Sequence, residues 1–245
     1  MDILIALGVA VAFALVFRTP LIRMPAVFYV LAVAVALLFL SGILGQALPT
    51  LNRELLPFLR RCIFPYALFV VVMYMGVLPE ASCLRQYLKP ARGPLSIVAA
   101  LLVLCHGVSY LGVYLNVALG GFSTASASTA SSLAMAVALS VILGVLTVTS
   151  FNFVRHRMRG KTWKVVQKAA YAFFGLVTAH AVVLLLPASL TGGSAAFSVS
   201  VYMGVFLLYV ILRIARWAKV RYAAADWGTS SVGRGAVTDC ELELA

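Results

Sequence analysis

The segment from Thr149 to His180, TSFNFVRHRMRGKTWKVVQKAAYAFFGLVTAH, contains the pattern around which the rest of the chain is arranged. It begins where one apolar run ends, crosses a densely basic loop, and continues into a second apolar run that contains a histidine. The pattern places two ionisable side chains, His180 and His106 on an earlier apolar run, deep inside a membrane. An ionisable group in hydrocarbon is costly, so each of these histidines predicts a functional site.

The composition indicates an all-α polytopic membrane protein. Of the 245 residues, 63% are hydrophobic and only 11% are charged, whereas a soluble domain averages about 25% charged residues. The net charge of +12 comes from short loops between apolar runs. Such a distribution encodes orientation in a lipid membrane and argues against nucleic acid as a partner. The four cysteines are scattered without a C-x-x-C pair, so an iron–sulfur or zinc site is not expected.

Acidic side chains are almost absent from the apolar part of the chain. Between Ile3 and Ala225 the carboxylates are Glu54 and Glu80, both at the edges of apolar runs. Ion-coupled transporters and proton pumps generally use carboxylates within the membrane as relays. This pattern therefore disfavours a transport function.

The chain contains seven apolar runs, each predicted to be a transmembrane helix, and their approximate limits are 3–17, 26–46, 62–79, 95–119, 131–150, 168–187 and 197–212. The first run is short for a span and has a basic segment after it but none before it. We favour a retained helix with its N-terminus outside over a cleaved signal peptide. The polar residues that follow Tyr222 predict a disordered tail.

The basic residues define an orientation in the cell membrane. Four basic clusters fall on one side if the N-terminus lies outside, and they are Arg18/Arg23, Arg85–Arg92, Arg155–Lys168 and Arg213–Arg221. By the positive-inside rule this side is the cytoplasm, which makes the C-terminus cytoplasmic. Arg53, Arg60 and Arg61 then remain outside.

On this topology His106 and His180 reach a similar depth. His106 is 14 residues beyond Arg92 and His180 is 12 residues beyond Lys168, which correspond to about 21 Å and 18 Å of helix. Two neutral imidazoles at one height can hold a haem iron from both faces. The alternative is that each histidine forms a hydrogen bond with a neighbouring helix.

Other residues near these histidines have candidate roles. Gly107, Gly112 and Gly175 would allow a flat macrocycle to approach closely. Arg60 and Arg61 could pair with haem propionates, because guanidinium matches carboxylate bidentately, or they could bind phospholipid head groups. His156 lies among arginines in a loop and is interpreted as a solvated cytoplasmic residue.

Three motifs resemble those of the ferric reductase-like transmembrane component superfamily, and the likeness covers roughly residues 60–217. The motifs are H-x-x-S-Y at His106, Ser109 and Tyr110; Thr149-Ser150 before a basic loop; and Trp163-Lys164 leading to Tyr171 and His180. Within the superfamily, the chain looks most like the haem-binding membrane subunit of the bacterial periplasmic methionine sulfoxide reductase system. The resemblance implies a six-helix haem-binding core, preceded here by an N-terminal helix.

The resemblance also implies a cofactor and its ligands. The resemblance carries over one outer ligand pair, His106 and His180, which would hold a single haem b between two histidines. The implied cofactor-binding set is His106, His180, Gly107, Gly175, Arg60 and Arg61. The family usually has a histidine where this chain has Gln167, and glutamine is a poor iron ligand. An inner haem is therefore not expected.

The predicted organisation has three parts: N-terminal helices and an outer loop at 1–59, the haem-binding core at 60–217, and the tail at 218–245. Relatives with oxidase or ferric reductase activity carry a flavin and nicotinamide domain, for which no G-x-G-x-x-G fingerprint is found here. The expected function is thus an electron-transfer subunit of an oxidoreductase system. It would pass electrons from quinol or a cytoplasmic flavin donor to a separate extracytoplasmic redox protein. The alternative is a haem-free transporter or scaffold on the same fold.

Overall fold

The computed structural model describes residues 2–43, 53, 56–120 and 126–242, and these residues form helices, turns and loops without a β-strand. Glu54 and most of the predicted outer loop before residue 56 lie outside this described part. The helices are α1 Asp2–Val16, α2 Arg18–Arg23, α3 Pro25–Leu40, α4 Leu56–Arg60, α5 Ile63–Tyr74, α6 Cys83–Leu88, α7 Arg92–Leu119, α8 Ala127–Ser150, α9 Asn152–Arg157, α10 Gly160–Gln167, α11 Ala169–Ser189 and α12 Gly193–Leu242. A short 3₁₀-helix, Lys89–Ala91, joins α6 to α7.

The helix lengths make the chain a multi-pass membrane protein. Among the residues that the structure describes, four apolar stretches are long enough to cross a membrane, and they are Cys83–Leu119, Ala127–Ser150, Gly160–Ser189 and Gly193–Lys219. Helices α1, α3 and α5 are apolar but have only 15, 16 and 12 residues, whereas a span needs about 20. The all-helical architecture is confirmed, while the count of seven spans stays a prediction.

Helix α8 begins earlier than the apolar pattern predicts. The side chain of Ser126 accepts a hydrogen bond from the backbone N–H of Thr129 at 3.2 Å, which caps the helix N-terminus. Ser128 and Thr129, which precede the predicted apolar run 131–150, form part of the first turn of α8. Because a capped N-terminus needs no apolar residue, hydropathy alone places this boundary too late. Ser132 lies in the second turn of the helix.

The turn between α11 and α12 depends on two glycines. Gly192 and Gly193 have φ values of +85° and +73°, in the left-handed region that glycine adopts at little cost. These residues reverse the chain direction within the short, uncharged connection predicted at this place.

Three of the four basic clusters meet at one end of the helices. The Nε of Arg18 donates a hydrogen bond to the carbonyl of Tyr87 at 2.6 Å, and its guanidinium lies 4.2 Å from the Tyr87 ring centroid. Tyr29, near the start of α3, contacts Phe151 at a centroid distance of 6.0 Å. These contacts join the segments of Arg18/Arg23, Arg85–Arg92 and Arg155–Lys168, as a common membrane side requires.

The chain divides into two compact units, Met1–Phe206 and Leu207–Ala245. In the first unit, α1 packs on α5, α3 and α5 pack on α7, and α8 packs on α11. Phe174, Leu68 and Leu95 are fully buried in its core.

The second unit is helical as far as Leu242. This helix includes residues 218–242, and the disorder expected of the tail stays a prediction. A helix requires only local backbone bonds, and the alanines at 223–225 favour it, so a segment too polar for a core can still be helical.

Candidate functional site

His106 is held by a backbone carbonyl from the neighbouring helix α4. The ring Nδ1 lies 2.7 Å from the carbonyl oxygen of Arg60. A carbonyl only accepts hydrogen bonds, so Nδ1 carries the proton and donates it. The other ring nitrogen, Nε2, is then unprotonated in the neutral ring and has its lone pair available for a metal.

The Arg60 carbonyl is available because α4 ends at this residue. The last carbonyls of a helix lack an intrahelical N–H partner. Cys62, between α4 and α5, has a φ of +59°, which interrupts the helical path of the chain. The interruption turns the Arg60 carbonyl towards His106.

His180 is held by a side-chain hydroxyl from α8. Its Nδ1 lies 3.1 Å from the Oγ of Ser132, and this Oγ lies 3.5 Å from the hydroxyl of Tyr114 on α7. Ser132 is fully buried and His180 is 8% exposed. Three helices thus contribute one residue each to a short polar chain that ends at the His180 ring.

The two imidazoles lie next to each other. Their ring centroids are 6.5 Å apart and their planes are perpendicular. Because α7 packs mainly on α3 and α5 whereas α11 packs on α8, the two histidines are a point of approach between helices that have different principal neighbours. Among the described residues no group of three or more His, Cys, Asp or Glu side chains could hold a metal ion.

Aromatic and basic groups adjoin His106. The Tyr110 ring lies 5.0 Å from the His106 ring, centroid to centroid, and the Arg60 guanidinium lies 5.9 Å from the Tyr110 centroid. Arg60 and Arg61 are both exposed. Arg60 is therefore next to the histidine pair both through its backbone and through its side chain.

The candidate glycines have different surroundings. A Cβ added at Gly107 or Gly112 would meet no atom within 4 Å, whereas one added at Gly175 would lie 3.6 Å from the ring of Phe206. The space beside Gly107 and Gly112 is open, and that beside Gly175 is taken by an aromatic side chain. The proposed cofactor contact is thus better supported at Gly107 than at Gly175.

Gln167 lies at the basic end of the same helices and has a structural partner. Its Nε2 donates to the Oγ1 of Thr149 at 3.1 Å, and the Nε1 of Trp163 donates to the Thr149 carbonyl at 3.0 Å. These two bonds fasten α10 to the end of α8. Arg155 lies 4.9 Å from the Trp163 ring centroid and extends this cluster towards the basic surface.

An aromatic core fills the interior between the Gln167 level and the histidines. Tyr66 stacks on Phe174 at 6.1 Å and meets Tyr202 edge-on at 4.8 Å. The Thr178 hydroxyl donates its proton to the Phe174 carbonyl at 2.9 Å. The Tyr66 hydroxyl therefore donates to the Oγ1 of Thr178 at 3.3 Å.

Both histidines could be singled out from the sequence, but the groups that hold them could not. Nothing in the sequence pairs Ser132 with a residue 48 positions away. The Arg60 partner is a backbone atom, which leaves no signal in a sequence.

Comparison with known proteins supports the superfamily that the motifs indicated. Residues 61–178 match the family model described as ferric reductase like transmembrane component. An uncharacterized protein of Treponema pallidum (strain Nichols) is 40% identical over 165 residues, which cover 67% of this chain and 46% of that protein. The chain thus spans about half the length of this relative. No solved structure matches. Both histidines lie within or next to the matched region, and the part of the chain that builds the site is similar to the ferric reductase-like transmembrane family.

Proposed function

We propose that this protein is an integral-membrane electron-transfer subunit that holds one haem b between His106 and His180. The single observation that carries the proposal is the adjacent pair of imidazoles, each with its Nδ1 hydrogen-bonded to another helix, an arrangement that suits the Nε2 atoms to bind a metal. Haem b, when bound, supplies one-electron redox chemistry.

The separation of the rings fits such a group. A metal–imidazole bond is about 2.0 Å long and a ring centroid lies about 1.1 Å behind its nitrogen, so two axial imidazoles should have centroids about 6 Å apart. The observed distance is 6.5 Å. The open space beside Gly107 adds room for a flat ring on the α7 side.

The protein's own groups have defined tasks in this proposal. The Arg60 carbonyl and the Ser132 hydroxyl fix the tautomer and orientation of the two rings. Fixed outer partners of this kind also raise the basicity of a ligating histidine. The exposed guanidiniums of Arg60 and Arg61 are suited to pair with carboxylates at the rim of the site.

The electron path is proposed to lead out of the cytoplasm. Quinol or a reduced flavin would donate at the end that carries the three joined basic clusters, where positive charge attracts an anionic donor. A separate extracytoplasmic redox protein would accept electrons near Arg60. This arrangement is that of the haem-binding subunit of the periplasmic methionine sulfoxide reductase system, with a cytoplasmic C-terminus.

The experiment that tests the proposal uses the three histidines of the chain. The full protein is purified in detergent after expression with haem precursor, and a reduced-minus-oxidised visible spectrum is recorded. We expect a b-type signal that is lost in His106→Ala and in His180→Ala. His156→Ala is the matched control and should keep the signal, because His156 is exposed on α9.

Two outcomes would contradict the proposal. A folded but colourless wild-type protein would favour the haem-free transporter or scaffold. A haem signal that survives both substitutions would show that other residues bind the group.

A further inference from the structure

We propose that Ser132, oriented by Tyr114, is the positioning residue that sets the tautomer and electron-donating strength of His180. The inference rests on the proposed function, since it concerns one of the two proposed haem ligands. Neither Ser132 nor Tyr114 belongs to the cofactor-binding set that the sequence indicates.

The hydrogen bonds of Ser132 differ from those of its neighbours on α8. The hydroxyls of Ser131 and Ser140 bond to carbonyls of their own helix, at 3.1 Å and 2.8 Å. Ser132 instead contacts His180 on α11 and Tyr114 on α7. It is also fully buried, where a polar group is costly unless it is satisfied.

The direction of these bonds decides which nitrogen of His180 can bind a metal. A serine hydroxyl has one proton and can also accept. If it gave this proton to Nδ1, the neutral ring would carry its own proton on Nε2, which would then not be a ligand. In the proposed arrangement the Ser132 proton goes to the Tyr114 oxygen, which lies within reach, and the Ser132 oxygen accepts from Nδ1–H. With Tyr114 as this acceptor, His180 takes the tautomer with an available Nε2.

The two histidines consequently differ in how their Nδ1 protons are held. His106 donates to a carbonyl at 2.7 Å, whereas His180 donates to a hydroxyl at 3.1 Å. A stronger acceptor makes an imidazole more electron-donating and favours the ferric state of a bound iron. His180 is thus the proposed ligand whose electron-donating strength depends on a side chain, that of Ser132.

The test measures the midpoint potential of the bound haem in purified full-length protein, together with haem content. Ser132→Ala removes the acceptor, so ferric iron should lose more stabilisation than ferrous iron. A tenfold change in their relative affinity corresponds to about 59 mV for one electron, and we expect a shift of this size to more positive potential. Haem affinity should also fall by about tenfold or more, as for other outer partners of metal ligands.

Two further variants keep the inference testable. Tyr114→Phe retains the ring and should shift the potential in the same direction by a smaller amount. Ser131→Ala, an exposed neighbour, should leave the potential unchanged. If Ser132→Ala does not accumulate as folded protein, Tyr114→Phe decides the question.

The outcomes separate this inference from the proposed function. A wild-type potential in Ser132→Ala or, failing that variant, in Tyr114→Phe overturns the positioning role while the haem site stands. A wild-type protein without haem overturns the proposed function itself.

Discussion

Substitution of Gly107 by leucine should have opposite effects on the apoprotein and on cofactor binding. Gly107 lies inside α7, next to His106, and a Cβ there would meet no protein atom within 4 Å. The polypeptide alone therefore offers no obstacle to a larger side chain. If a macrocycle lies over this position, however, the leucine would occupy part of its place.

The two effects can be given sizes. Replacing a helix-interior glycine by a good helix former stabilises a helix by up to about 1 kcal/mol. Forcing extra methylene groups into an occupied space costs about 1–3 kcal/mol, which corresponds to about 5- to 150-fold weaker binding. We therefore expect an apoprotein at least as stable as the wild type and a haem affinity reduced by one to two orders of magnitude.

The assay combines a haem titration, followed in the visible spectrum, with thermal unfolding of the apoprotein in the same detergent. Gly144→Leu is the matched control, because Gly144 is exposed on α8 and its added Cβ also meets nothing within 4 Å. This variant should change neither quantity beyond the gain in helix propensity. Undiminished haem binding by Gly107→Leu would refute the placement of the macrocycle beside Gly107, and a large loss of apoprotein stability would show that the space there is needed by the protein itself.

Two further predictions concern the rim and the core of the site. Arg60→Gln and Arg61→Gln should each weaken haem binding by about 1.4- to fivefold, because exposed ion pairs contribute about 0.2–1 kcal/mol; the effect should shrink at high salt, and identical titrations for all three proteins would favour lipid head groups as the partners. Thr178→Val should lower the free energy of unfolding by about 1–2 kcal/mol, because the buried Tyr66 hydroxyl loses its acceptor. Tyr66→Phe should cost less, since Thr178 keeps its bond to the Phe174 carbonyl, and chemical denaturation in detergent that ranks the two variants in the reverse order would contradict this account.

The helical organisation could be read from the sequence because hydropathy and charge report directly on membrane depth. The start of α7 and the end of α8 lie within a few residues of their predicted places, and Arg and Lys mark the ends at which the basic clusters meet. The same reasoning put His106 and His180 at one depth, and their rings are adjacent in the structure. Their role as iron ligands stays a prediction.

The partners of the histidines could not be predicted in this way. Whether a small residue faces open space, as Gly107 does, or an aromatic ring, as Gly175 does, depends on helix rotation and on residues distant in the chain. Hydropathy records depth but not rotation about the helix axis. Hydropathy also carries no information on the backbone acceptor at Arg60 or on the cap that Ser126 forms at the start of α8.

The break in the chain at Cys62 has a consequence for how this protein could be redesigned. In an unbroken helix through residues 56–74, the Arg60 oxygen would accept a hydrogen bond from the backbone N–H of Phe64. His106 would then lose its hydrogen bond to this carbonyl without any change in the residues around it. A residue other than glycine with positive φ is uncommon and strained, so a variant that straightens this corner would gain local stability while releasing the imidazole. Rigidifying the corner in its present bend, rather than straightening it, is the way to make a more stable version that keeps the hydrogen bond between the Arg60 carbonyl and His106.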